Sequence, residues 1–108
     1  MSHLNKASLS PARRSLLELL QRVNFARIES LAVRDREPVL DPRPVVIREH
    51  KFGGENGHRP ELGAADFLLK QQVVELFDFF DQFQNGVIDV LEIKHGLPFR
   101  MVVTEVPA

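Results

Sequence analysis

Residues 68–106 read LLKQQVVELFDFFDQFQNGVIDVLEIKHGLPFRMVVTEV, and this stretch decides the fold. Leu68, Leu69, Val73, Leu76, Phe77, Phe79, Phe80 and Phe83 gather on one half of a helical wheel, while Lys70, Gln71, Glu75, Asp78, Asp81 and Gln82 take the other. That period requires a helix buried along one side. Residues 64–84 are therefore expected to be helical, with the phenylalanines as the largest contributor to the core. Asn85-Gly86 ends the helix, because glycine tolerates the left-handed conformation after a last turn. The runs Val87 to Lys94 and Leu97 to Val106 flank His95-Gly96. Two β-rich runs about a two-residue loop with glycine second predict a hairpin.

Working outward, Ser10-Pro11 has the chemistry of a helix start, a hydroxyl cap followed by a residue that needs no donor. Leu9, Ala12, Leu16, Leu19, Leu20 and Val23 recur at helical spacing, with Arg14, Ser15, Glu18, Gln21 and Arg22 opposite them. An amphipathic helix ending near Asn24 follows. Arg27 to Arg34 reads as a strand, Asp35 to Pro38 as a turn, and Val39-Leu40 as a short return strand. Val45 to His50 is β-branched and reads as a third strand. Pro38, Pro42 and Pro44 remove ladder donors, so the strands here are expected to be short or at an edge. The resulting order is α-β-β-β-α-β-β. The expected fold is α+β, two amphipathic helices packed on a small, mainly antiparallel sheet. Residues 1–9 read as a flexible tail, residues 10–106 as one domain, and no internal repeat is expected.

Composition narrows the class of protein. The chain has 108 residues, 44% of them hydrophobic and 27% charged, enough for one small core. There is no cysteine, which excludes disulfides, thiolate metal sites and a thiol nucleophile. Met1 to Ser10 lacks the apolar run of a secretory signal, and no stretch approaches the roughly 18 apolar residues of a membrane helix. A cytoplasmic protein without membrane contact is the expectation. Charge is divided along the chain. Residues 1–59 hold 11 Lys and Arg against 7 Asp and Glu, and residues 60–108 hold 3 against 8. The halves can neutralise each other within one fold, or a basic face can meet an anion.

Asp81, Asn85, Asp89 and Glu92, with Gly86 between them, stand at positions one, five, nine and twelve of a twelve-residue segment. Together with Glu75-Leu76-Phe77 and Phe80 before it, the segment resembles the calcium loop of the EF-hand family. That resemblance implies calcium held by those four side chains, at a turn made by Gly86. The sequence departs from the family pattern at Phe83, where an oxygen ligand belongs, and in the strand-like run after Gly86. No second loop is visible.

A second candidate is the glycine-rich segment 51–60. Lys51, Gly53, Gly54, Gly57 and Arg59 combine backbone amides and cations just ahead of a helix, the ingredients of an anion site. Their spacing matches neither the P-loop nor the dinucleotide pattern. His50, His58 and His95, with Glu49 and Glu55, show no metal-ligand spacing. No serine occupies a strand–turn–helix elbow. Arg13, Arg14, Arg22, Arg27, Arg34, Arg36 and Arg43 supply positive charge to the first half, but acidic residues interrupt them and no nucleic-acid-binding motif appears.

These features point to binding rather than catalysis. No enzyme class and no cofactor is indicated. The run Val87 to Lys94 has aliphatics in both alternation sets, Val87, Leu91 and Ile93 in one and Ile88 and Val90 in the other. A strand apolar on both sides needs two covers. The expectation is therefore a small intracellular interaction or regulatory module, homodimeric through its sheet or its Phe-rich helix. A calcium module and an anion or nucleic-acid binder stand as alternatives.

Overall fold

A computed structural model of the chain describes residues 5–50, 52–53 and 69–104. Helix α1 (Pro11–Val23) starts on Ser10, whose hydroxyl accepts the Arg13 N–H at 3.2 Å. Strands β1 (Ala26–Arg34), β2 (Glu37–Val39) and β3 (Val45–Arg48) follow, then α2 (Gln71–Phe83), β4 (Gly86–Lys94) and β5 (Leu97–Val102). The order α-β-β-β-α-β-β and the α+β class are as expected from the sequence, and every pairing is antiparallel. The sheet runs β2-β1-β4-β5, with β3 also on β1. Strand β2 takes Ala32 to Arg34 and β3 takes Ala26 to Glu29, so two short strands share one side of β1. The proline-bearing strands are short and peripheral.

Both helices bury one side against the same face of the sheet. Leu16, Leu17, Leu20, Val73, Phe77 and Phe80 are essentially inaccessible, as are Ile28, Leu31, Ile88 and Leu91 beneath them. Complete burial of one such side chain contributes about 1.5–3 kcal/mol relative to exposure. Three details differ from the sequence reading. Residues 5–9 are no loose tail: Lys6–Ser8 forms a 3-10 turn, Leu9 joins the core, and buried Lys6 pairs with Glu18 at 3.0 Å. Helix α2 begins only after its N-cap Lys70; positions 64–68 lie outside the described residues. Gly86 lacks positive φ and opens β4, where a Cβ would run into the Phe83 ring. The left-handed position after the helix belongs to Gln84, with φ 64.

The largest departure is an internal repeat. The helices Pro11–Val23 and Gln71–Phe83, the strands Ala26–Arg34 and Gly86–Lys94, and the turns after them are all offset by 60 residues. At that offset Leu16 matches Leu76, Ile28 matches Ile88, Leu31 matches Leu91 and Pro38 matches Pro98. Leu17, Leu19, Leu20 and Val23 correspond to Phe77, Phe79, Phe80 and Phe83. The β1–β4 ladder obeys the implied two-fold axis, since Ala26 opposes Ile93 and Val33 opposes Gly86. The ladder omits Ser30 and Asp89, the residues beside that axis.

Backbone detail repeats as well. The helix caps Asn24 and Gln84 have φ/ψ of 62/−54 and 64/−58. Each is bridged by a γ-turn hydrogen bond, Phe25 N–H to Val23 O at 2.6 Å and Asn85 N–H to Phe83 O at 2.7 Å. The halves then cap each other. Arg36 N–H in the β1–β2 turn donates to Gln84 O at 2.8 Å, and Gly96 N–H in the β4–β5 turn donates to Asn24 O at 2.9 Å.

Both hairpin turns have two central residues at positive φ, Asp35-Arg36 at 51 and 67 and His95-Gly96 at 55 and 71. That geometry favours glycine second, so exposed Arg36 carries a strain its counterpart Gly96 avoids. Arg36→Gly is expected to raise the unfolding free energy by about 1 kcal/mol in chemical denaturation. Phe80→Ala is expected to lower it by about 3–5 kcal/mol. A destabilised Arg36→Gly variant contradicts the turn assignment.

Candidate functional site

The face of the sheet away from the helices carries the most distinctive surface. Strand β1 buries Ala26, Ile28, Leu31 and Val33, so its inward parity shifts by one residue between Ile28 and Leu31. Strand β4 shifts in the same place, between Ile88 and Leu91, and Ser30 takes φ 60 at the shift. An extra residue in each strand keeps the core set inward on both sides of the axis. Ile88, Leu91 and Ile93 therefore share one cover, although they occupy different alternation sets in the sequence. The apolar residues of β4 left outward are Val87 and Val90.

Cross-strand registers lay out this outer face in rows. Val39, Ala32 and Val87 form one row. Val45, Glu29, Val90 and Val102 form the next, and Ile47, Arg27, Glu92 and Arg100 the third. Val45 is 55% exposed, Ile47 41%, Val87 49% and Val102 44%. Charges sit among them: Arg27 Nε lies 3.1 Å from Glu29 Oε2, and Arg100 Nε bonds Glu92 Oε2. Exposed ion pairs of this kind contribute little stability, on the order of 0–1 kcal/mol, and chiefly give the surface a charge pattern. No helix or strand among the described residues covers this face.

One end of the face deepens into a cleft of about 770 Å³, lined by Phe25, Arg27, Ile47, Arg48, Glu92, Lys94 and His95 among others. The His95 ring stands edge-on to Phe25, with centroids 4.8 Å apart. Lys94 Nζ lies 4.1 Å above the Phe99 ring at the irregularity between β4 and β5. The lining contains no serine, threonine, cysteine or tyrosine. Its chemistry is charge and apolar contact.

The four residues of the calcium reading are held apart. Asp81 Oδ1 accepts from Arg13 Nη2 at 2.6 Å, Asn85 Oδ1 from Asp35 N–H at 2.9 Å, and Asp89 Oδ2 from Thr104 Oγ1 at 2.6 Å. Glu92 bonds Arg100 on the outer face. Strand β4 stands where an EF-hand has its exiting helix, and no group of three or more metal-ligating side chains assembles among the described residues. Of the glycine-segment candidates only Gly53 is described, with φ 76. Lys51, Gly54, Gly57 and Arg59 lie outside the described residues, as do His58 and Glu55.

Asp81 instead completes a polar cluster that the sequence reading missed. Arg13 is 5% exposed on α1; its Nη2 also donates to Arg36 O at 2.8 Å, its Nε lies 3.8 Å from Glu37 Oε2, and its guanidinium faces the Phe77 ring at 5.4 Å. Ser10 Oγ bonds Glu37 Oε1 beside it. The cluster joins α1, α2 and the β1–β2 turn. Its two-fold counterparts, Val73 and Gln21, cannot form an ion pair, and the Gln21 amide oxygen is buried without a hydrogen-bond partner. Helical periodicity placed Gln21 on the polar side, yet it is 6% exposed. Only the repeat could have exposed this signal, by aligning Arg13 with apolar Val73.

Compared with protein-family models, with curated proteins and with solved structures, the chain finds no match in any of the three. Among the described residues no helix is long and apolar enough to cross a membrane.

Removing Asp81 leaves a buried guanidinium short of its closest anion. Asp81→Ala is expected to cost about 1–3 kcal/mol in denaturant unfolding. Calcium at millimolar concentration is expected to leave the unfolding midpoint of the unaltered protein unchanged; a shift that Glu92→Gln abolishes contradicts this assignment.

Proposed function

We propose that this protein works by binding, as a small protein-interaction module that assembles first with a second copy of itself. The observation that carries the reading is the outer sheet face, where Val45, Ile47, Val87 and Val102 are exposed around charged residues. Exposed aliphatics in contiguous rows mark protein contact surfaces rather than solvated ones. The interleaved Arg27, Glu29, Glu92 and Arg100 give such a surface orientation and partner choice more than affinity. A chain with one small core gains from a second copy that covers apolar area it leaves open. We place its work in the cytoplasm, where a chain without cysteine has no need of disulfides.

An anion-binding role is the second reading. It is supported by Arg27, Arg48, Lys94 and His95 converging on the cleft beside Phe25. Glu49 and Glu92 in the same lining offset that charge and weaken the case.

The test is a native mass spectrum of the untagged protein at about 10 μM, near the affinity of modest interfaces. Mass is also the practical observable because the chain has neither Trp nor Tyr. A dimer supports the module. A monomer overturns it, and a co-purified nucleotide mass moves the function to the cationic cleft.

A further inference from the structure

Strand β5 interrupts its own ladder to push one aromatic outward. Glu92 opposes Arg100 and Ile93 opposes Pro98, so Phe99 is an extra residue with no counterpart on β4. Its side chain is 57% exposed. The two-fold equivalent, Val39, pairs in plain register with Ala32 and is half-buried. The fold itself does not require the bulge, since the first half closes the same hairpin without one. Lys94 Nζ, 4.1 Å from the ring centroid, holds the ring without covering it. Glu75 of α2 lines the same shallow depression as Phe99 and makes no ion pair among the described residues. An aromatic held outward beside a carboxylate has the form of an interface anchor.

A groove elsewhere on the molecule has the matching chemistry. It lies between α1 and the β2–β3 connection, holds about 300 Å³, and is lined by Leu19, Leu40 and Pro44. Arg22 on the helix and Arg43 on the connection border it from either side, both exposed. Neither makes an ion pair among the described residues, whereas Glu18 in the same lining is engaged by Lys6 at 3.0 Å. The volume is at the lower limit for a free small ligand and ample for one large side chain. Guanidinium groups both pair with carboxylates and stack on aromatic rings. Two other clefts suit the anchor less. The one beside Arg13 carries Asp35, Glu37 and Asp81, which repel Glu75. In the one beside Phe25, Arg48 and Glu49 already have further partners.

We infer that Phe99 of one copy docks in this groove of a second copy, with Glu75 meeting Arg22 and Arg43. The sheet order β2-β1-β4-β5 puts groove and anchor at opposite borders. The contact is therefore heterologous. It leaves a groove open on one copy and an anchor free on the other, and so propagates into a ring or a chain. It goes beyond the pairing proposed above, which uses the outer face and ends at two copies.

Native mass spectra recorded from about 10 to 100 μM read the contact directly, the range in which modest interfaces fill. The unaltered protein is expected to gain species larger than the dimer as its concentration rises. Phe99→Ala is expected to weaken the contact at least about tenfold and to stop assembly at the dimer. Glu75→Arg is expected to do the same, and adding Arg22→Glu and Arg43→Glu to it restores the larger species with the charges exchanged. Circular dichroism checks the folding of each variant, and the charge exchange decides alone if Phe99→Ala fails to fold. Larger species that persist in both Phe99→Ala and Glu75→Arg overturn the docking and leave self-assembly standing. An unaltered protein that stops at the dimer at every concentration overturns the docking alone. A monomer throughout overturns both readings.

Discussion

Helices α1 and α2 each end on a carbonyl that the other half satisfies. Asn24 O receives Gly96 N–H from the β4–β5 turn, and Gln84 O receives Arg36 N–H from the β1–β2 turn. A helix terminus leaves backbone acceptors without intrahelical partners, and burying them unpaired costs free energy comparable to a lost hydrogen bond. Reciprocal capping removes that cost at both ends. It also fixes the angle between helix and hairpin, because the γ-turns at Asn24 and Gln84 reverse the chain within one residue. Ring and side-chain contacts reinforce the pair: Phe25 meets His95, and Asn85 meets the Asp35 amide. The β1–β4 ladder, the shared core and the position of the outer face follow from this exchange.

Within that two-fold frame the halves differ, and the differences are where specific chemistry sits. The first half places Arg13 where the second has Val73, and the second places Asp81 where the first has Gln21. One half-buried ion pair thus stands where its two-fold counterpart, Val73 and Gln21, has none. The first half also owns β3, lying along Ala26 to Glu29. Among the described residues no strand lies along the corresponding stretch of β4, Gly86 to Asp89. The open face is accordingly lopsided, with aliphatic β3 at one border and proline-bearing β5 at the other.

Much of this fold was legible in the residues. The Phe-rich stripe of α2, the Ser10-Pro11 start and the His95-Gly96 turn each carry strong local physics, and they gave the right element order. Other features depend on tertiary context that no local pattern carries. Ile88 and Leu91 belong to opposite alternation sets, and only the paired irregularities at Ser30 and Asp89 bring both into the core. The oxygens of Asp81, Asn85, Asp89 and Glu92 have the spacing of a metal loop, yet a strand throws successive side chains to opposite sides. They end on four different partners. Gln21 and Arg13 were unexpected inside, since a helical wheel registers hydropathy and not the acids brought near by another helix. The repeat escaped notice because Leu-to-Phe exchanges preserve burial while changing nearly every letter of the second helix.

The reciprocal caps also govern how the molecule comes apart. A solitary half would keep its helix and hairpin but lose the donor for its helix end and the strand opposite its central one. Each half holds the other's helix end and central strand, so the opening of one removes the support of the other. The cross-half hydrogen bonds and the β1–β4 ladder therefore predict slow-exchanging amides in both halves, opening as one cooperative unit. In this architecture the repeat lengthens the chain without dividing it.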